Sequence, residues 1–271
     1  ETNKQGKCEW WYEPMSTQDA SNKRYNTELY KTKYMVFRRI PAGTYTIGHN
    51  SWTAWRSDQR HNSSHSVTFP ADFYVSVFLL TEAQYARIAS QTDSSSINFK
   101  LLSWNETRQM ASPNASLSSG FVYDLQQRTG LKLDIPTHAM LESATRAGYT
   151  GLYLGGSANA ANSIYHLSTK AVGSKAPNAW GIYDLMLINY YIWFLDYLPP
   201  SGGYTSAEPA LANNFMPVIT GNSTYRGVYE QTQGRNNPFS SLSNSWYITP
   251  NSTAALKLAI YPAAYYPNGG K

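Results

Sequence analysis

Over Glu1 to Lys33 apolar and polar residues mix without a sustained period, with Trp10, Trp11, Tyr12, Tyr25 and Tyr30 scattered through polar sequence. This predicts an irregular extension laid on a main body, with too little periodic apolar sequence to bury a face of its own. From Tyr34 the pattern sharpens. The run MVFRRI reads as a strand, Pro41-Ala42-Gly43 as a turn and Thr44 to Ile47 as a returning strand, because β-branched and aromatic residues bounded by Pro and Gly favour a hairpin. Val67 to Phe78 carries a second strand region. Thr81 then opens a helix that it can cap, with Gln84 at the third helical position, and Ser103 stands in the same relation to Trp104-Asn105-Glu106. The polar stretch Ser112 to Gly120 is expected to form a loop within or beside that helix. Thr137 heads a third helix, THAMLESATRAG, in which Met140, Leu141 and Ala144 fall at helical spacing and Gly148 provides the stop. Past Gly148, Gly, Ser, Asn, Pro and aromatics alternate with short apolar runs, so this loop-rich half has to be ordered by packing on the rest.

Composition narrows the function classes. With 271 residues, 42% of them hydrophobic, the chain can bury a sizeable core. No run of about 18 apolar residues occurs, so no membrane span is expected in this chain. The polar residues Glu1 to Lys7 are not expected to belong to a signal peptide. Cys8, the only cysteine, excludes an internal disulfide and a thiolate-rich metal site. The net charge of +5 is spread without a basic run, which argues against a nucleic-acid groove. The 22 Tyr and 8 Trp, set among Ser, Asn and Gly, make the mixture that recognition loops favour. His61 and His65 stand at i and i+4, but Arg60, Asn62, Ser63 and Ser64 around them read as a solvated loop.

Certain segments resemble the formylglycine-generating-enzyme, or sulfatase-modifying-factor, domain. FRRIPAGTYTIG from Phe37 is similar to that family's opening strand, turn and strand, and DFYVSVFLLTEAQYARI from Asp72 to its next strand and helix. LLSWNETRQ from Leu101 and IPTHAMLESATRAG from Ile135 resemble its two further helix starts. PNAWGIYDL from Pro177 follows the family's Pro-Asn-x-x-Gly-Leu-Tyr-Asp segment almost residue by residue. Weaker echoes are Trp193 to Asp196, Tyr225-Arg226-Gly227 and LKLAIY from Leu256, where the family has a closing Phe-Arg-Leu-Ala strand. The resemblance implies an α+β, C-type-lectin fold with a small twisted antiparallel sheet, flanking helices and high loop content. Residues 34–271 would form that domain, with 1–33 as the irregular extension packed on it.

The departures shape the functional expectation. The family's oxidative enzymes act through cysteines late in the chain, whereas Phe194 stands where many relatives carry one after the Trp, and no thiolate follows Cys8. Relatives with structural calcium use an Asn-rich segment after the Tyr-Asp, which here reads Leu185 to Ile192 and offers few oxygen ligands. The iron-binding relatives need a His cluster, and His49, His61, His65, His138 and His166 lack facial-triad spacing. Between Gly181 and Tyr261 the carboxylates are Asp184, Asp196, Glu208 and Glu230. Asp184 and Asp196 fall in scaffold motifs and read as turn or capping residues. No enzyme, cofactor or metal is therefore expected.

A recognition surface takes the place of a catalytic site in this reading, over about 181–261. Its candidate ligand-binding residues are Leu187, Asn189, Tyr190, Tyr191, Tyr225, Tyr229, Gln231, Gln233, Arg235, Asn236, Asn237, Ser241, Ser243, Asn244, Trp246 and Tyr247. Ile188, Ile192, Trp193 and Leu195 are expected in the core, and Trp180, Tyr183 and Trp193 in the frame. The pattern resembles the family branch of variable proteins from diversity-generating retroelements, where adenine-directed mutagenesis rewrites loops on a fixed frame. That implies a monomeric, non-catalytic binder of a protein or glycan ligand, displayed at a cell surface or extracellularly by an anchor or signal outside this chain, or on a virion. The alternative is a divergent sulfatase-modifying-type enzyme or enzyme accessory. A calcium-dependent lectin is disfavoured because Glu208-Pro209-Ala210, the nearest string to a Glu-Pro-Asn motif, lacks the amide.

Overall fold

The computed structural model describes residues 25–48, 60–61, 64–92, 94–110, 117–151, 153–157, 164–187, 190–196, 227–230, 241–242 and 252–266, with the backbone alone at 60–61, 110, 166, 186, 227–230 and 241–242. Its helices start where local chemistry directs them to. Helix α1 (Leu29–Thr32) is a single turn within the extension that the sequence presents as irregular. Helix α2 (Glu82–Ile88) opens on a reciprocal cap: the Thr81 hydroxyl accepts the Gln84 N–H and the Gln84 side chain accepts the Thr81 N–H, both at 3.1 Å. Helix α3 (Trp104–Thr107) repeats the arrangement with Ser103 and Glu106. The fifth helix, α5 (His138–Arg146), is capped by Thr137, and it stops ahead of Gly148 because Ala147 already takes the left-handed conformation, φ 49°.

Helix α4 (Phe121–Thr129) departs from the sequence reading, which places no helix there. Its buried residues Phe121, Val122 and Leu125 have helical spacing, but the polar stretch ahead of it obscures the start. Gly120 supplies that start: its φ is 101°, and a Cβ there would lie 2.9 Å from the Thr107 carbonyl oxygen. Leu117–Ser119, expected in a loop, forms a strand (β8) that pairs with β7 (Gln109–Met110).

The expected hairpin does not form. Strand β1 (Phe37–Ile40) pairs with β5 (Phe73–Ser76), and β2 (Gly43–Ile47) pairs with β4 (His65–Phe69), both antiparallel. Pro41 and Ala42 therefore bend the chain onward instead of reversing it. Asp72, on the opposing segment, fixes the bend by accepting the Ala42 N–H at 2.7 Å and Arg39 Nε at 2.8 Å. These bonds, the Ala42 one foremost, hold its carboxyl below the usual range. The longer ladder wins because it buries Ile40, Ile47, Val67, Phe69, Phe73 and Val75 together.

Two four-stranded sheets share one closing segment. Strand β16 (Ala259–Ile260) lies between β5 and β9 (Leu133–Asp134) in the first, and β15 (Thr253–Ala255) lies between β6 (Leu101–Ser103) and β12 (Tyr191–Phe194) in the second. Every contact in these sheets is antiparallel except that of β12 with β15. Between β15 and β16 the chain stays hydrogen-bonded, with Leu80 N–H donating to the Leu256 carbonyl and Ser76 N–H to that of Leu258. One core contains Trp193, Trp104, Phe69, Phe73 and Phe121, and a second contains Phe78, Phe99, Tyr183, Ile192 and Phe194. Among the described residues no helix is long and apolar enough to cross a membrane.

Trp193 is fully buried, stacks edge-on with Trp104 and donates its indole N–H to the Leu102 carbonyl at 2.8 Å. Trp180, which the sequence ranks beside it as frame, is only half-buried against Tyr45. Trp193→Ala is accordingly expected to cost about 3–5 kcal/mol and Trp180→Ala roughly half of that in urea unfolding.

Candidate recognition site

The turn from Pro177 to Leu185 sets where the site begins. Asn178 ties it to the end of α5: its amide donates to the carbonyls of Ala144 (2.7 Å) and Thr145 (2.9 Å), and its oxygen accepts the N–H groups of Trp180 and Ile182 at 3.0 Å. Asp184 follows in a left-handed conformation, φ 54°, fully buried, accepting the N–H groups of Gly173 (2.7 Å) and Leu79 (3.2 Å). Burial raises its carboxyl, and the positive charges of Lys257 and Lys31 work against that rise. Lys257 sends its buried ammonium to the carbonyls of Tyr183 (2.7 Å), Val77 (3.0 Å) and Ser76 (3.3 Å). Burial lowers it to about 8 despite Asp184.

Asp196, the second carboxylate read as scaffold, is buried and accepts the His138 N–H at 2.7 Å, at the N-terminus of α5. One turn further, His138 Nε2 lies 3.2 Å from Glu142 Oε2. Glu142 Oε1 accepts Arg146 Nε at 2.7 Å and the Gly48 N–H at 2.9 Å. Burial would raise the Glu142 carboxyl, but His138, Arg146 and Gly48 together hold it below its usual value. These side chains are all buried and directed at backbone or at each other. They hold the frame.

Strand β12 carries the first recognition candidates out of this frame. Along it, Ile192 and Phe194 enter the second core and Trp193 the first, so both faces are covered. Tyr190 and Tyr191 at its start are half-buried. Tyr190 is held on two sides: its ring meets Phe99 edge-on at 5.0 Å, and Lys170 Nζ sits 5.6 Å from its centroid. Leu187 is a correction. At 2% exposure it belongs to the second core, within strand β11 (Met186–Leu187), which pairs in parallel with β10 (His166–Leu167). The run LMLINYYI does not reveal which of its apolar residues faces inward, and the β10 pairing decides it.

Strand β13 (Gly227–Glu230) pairs with β12 so that Tyr229 stands opposite Ile192 and Glu230 opposite Tyr191. Strand β14 (Ser241–Leu242) pairs with β3 (Arg60–His61), setting Ser241 opposite His61. His61 and His65, read as solvated loop residues, thus both lie in strands. Asn189, Tyr225, Gln231, Gln233, Arg235, Asn236, Asn237, Ser243, Asn244, Trp246 and Tyr247 lie outside the described residues, as do Ile188 and Glu208. Sequence reasoning misses Phe99, Lys170 and the Arg60–His61 pairing. Nothing local marks Phe99 or Lys170, but the connection between β2 and β4, with Trp52, Trp55, Arg56 and Arg60, has the same aromatic and polar mixture as the C-terminal region.

Residues 24–245 match the family model described as the Sulfatase-modifying factor enzyme 1-like domain. The chain belongs to that family. Among the solved structures, PvdO from Pseudomonas aeruginosa superposes with a TM-score of 0.56 at 18% identity, over 83% of this chain and 94% of that one. At that identity the likeness concerns the fold, and it agrees with the α+β, C-type-lectin type of architecture expected of a sulfatase-modifying-factor-like domain. No curated protein matches the sequence.

Two measurements test the frame and the edge of the site. The folded pKa of Lys257, about 8, lies below its ordinary 10.5, so between those values the unfolded chain binds more protons and this group makes stability rise with pH. Lys257→Met should abolish that rise, read as the wild-type minus variant difference in urea unfolding across the window. It should also cost about 3–5 kcal/mol at neutral pH, by leaving Asp184 and three carbonyls without their cation. Tyr190→Ala should cost about 1–2 kcal/mol, above the roughly 0.5 kcal/mol of an unconstrained surface position.

Proposed function

We propose that this chain is a non-catalytic ligand-binding protein that presents the region of about 181–261 as a recognition surface for a protein or glycan. What Asp184 and Asp196 do carries this reading. Both are buried and committed to backbone N–H groups, so neither is poised to exchange a proton with a substrate. The position where many relatives place a cysteine holds Phe194, fully buried in the second core. Tyr190, braced by Phe99 and Lys170, is the rigid amphipathic contact that binding surfaces use as an anchor.

The finer reading is a variable protein of a diversity-generating retroelement, displayed on a cell surface or a virion, acting as a monomer without a cofactor. Its support is the contrast between retained scaffold words, Trp180 to Asp184, Trp193 and Leu256 to Ala259, and the freely departing residues between them. The encoding locus should hold a reverse transcriptase and a template repeat matching roughly the last hundred codons except at adenines; a locus lacking both would remove this finer reading. The non-catalytic reading is tested separately. Incubated with copper and a sulfatase-type cysteine peptide, the protein should yield no formylglycine above a no-protein control, whereas measurable conversion would favour a divergent enzyme.

A further inference from the structure

The segment 25–34, with α1 inside it, is bound to the body at both ends. On one side the Thr81 hydroxyl donates to the Lys31 carbonyl (2.6 Å), Gln84 Nε2 to that of Tyr34 (2.7 Å) and Arg87 Nε to that of Thr32 (3.1 Å). On the other, the Asn26 amide donates to the Gly173 carbonyl at 2.9 Å. Gly173 has φ 67°, and a Cβ there would come within 2.5 Å of Asn26 Oδ1, 2.8 Å of Phe78 and 3.0 Å of Lys31. The segment is therefore a strap closed tightly over this glycine.

Gly173 is also the residue whose N–H donates to Asp184. Its peptide units are thus gripped from the strap on one side and from the Asp184 turn on the other. Lys31, 8% exposed, places its ammonium 5.5 Å from the Phe78 ring centroid and contributes positive charge to Asp184. From Gly173 the chain runs back to Lys170 across a short crosspiece. Val172 N–H donates to the Ile97 carbonyl, Ala171 bridges Asn98, and Phe99 N–H donates to the Lys170 carbonyl. Lys170 and Phe99 are the two groups that hold Tyr190.

We infer that the strap is a positioning device for the recognition corner, coupling the N-terminal residues to Tyr190 through Asn26, Gly173 and the 170–173 crosspiece. The corner's role in ligand capture rests on the function proposed above; the coupling does not. Loosening the strap frees the Gly173 carbonyl, slackens the crosspiece and releases the Lys170 and Phe99 contacts on Tyr190, while the closing segment between the two sheets stays in place. Anything that engages residues ahead of Tyr25 then acts on the corner without touching it.

Hydrogen–deuterium exchange on the full chain, without ligand, tests this. Asn26→Ala removes one bond at a half-buried position, and Lys31→Met keeps side-chain length while removing the charge. In both, amides of 170–173 and 184–191 should exchange roughly tenfold faster, as local opening does, while those of 73–76 and 254–260 keep their wild-type rates. Unchanged exchange over 170–173 and 184–191, or equal acceleration in all four segments, would overturn the coupling. Because no ligand is present, either result stands apart from the question of what the corner binds.

Discussion

An ammonium group taken out of water costs several kcal/mol unless its donors are satisfied, and that cost makes Lys257 the constraint on which the frame depends. Its three carbonyl partners come from the end of β5 and the turn before Asp184, two parts of the chain that also meet through the Tyr183 N–H donating to the Val77 carbonyl and the Leu79 N–H donating to Asp184. To satisfy the ammonium, the closing segment has to pass between them, and passing there makes it a central strand of both sheets. Asp184 completes the arrangement. Its left-handed backbone is a conformation that a non-glycine residue keeps only where its surroundings fix it, and the N–H groups of Gly173 and Leu79 do so.

The second constraint is register. Because Ile192 and Phe194 enter one core and Trp193 the other, a one-residue slip of β12 would exchange a tryptophan with two differently shaped pockets. The strand has no solvent face on which variation is free. Among its described residues the strand approaches solvent at its start, where Tyr190 and Tyr191 are half-buried. The recognition region proposed above would start from this fixed origin.

What the sequence reveals follows the range of the interaction. The caps at Thr81, Ser103 and Thr137 are legible because cap and capped N–H are three residues apart, and all three form. The turn at Pro41 misleads because a strand followed by a turn does not say which partner the strand prefers, and the partners that β1 and β2 take, β5 and β4, lie further along the chain. In the site, the scaffold roles of Asp184 and Asp196 are legible from the motifs around them. The burial of Leu187 and the bracing of Tyr190 are not, since they depend on β10, Lys170 and Phe99, which are distant in sequence.

The polar groups buried in the frame fix how its backbone is arranged. Arg108 pairs bidentately with Asp134, whose carboxylate also accepts the Tyr266 hydroxyl, and Gln126 donates to that same hydroxyl. Glu142, Arg146 and His138 form a second network and Lys257 with Asp184 a third. Each is buried, so breaking one leaves an unpaired group at high cost, and each therefore favours a single arrangement of the surrounding backbone. Asp184 and Lys257 of the third network stand near the two ends of the region of about 181–261. Among the described residues, the β12–β13 ladder and the short β3–β14 pair tie the stretch between these two groups to the frame. On the function proposed above, a substitution at a position outside these three networks leaves intact the buried charges on which folding depends.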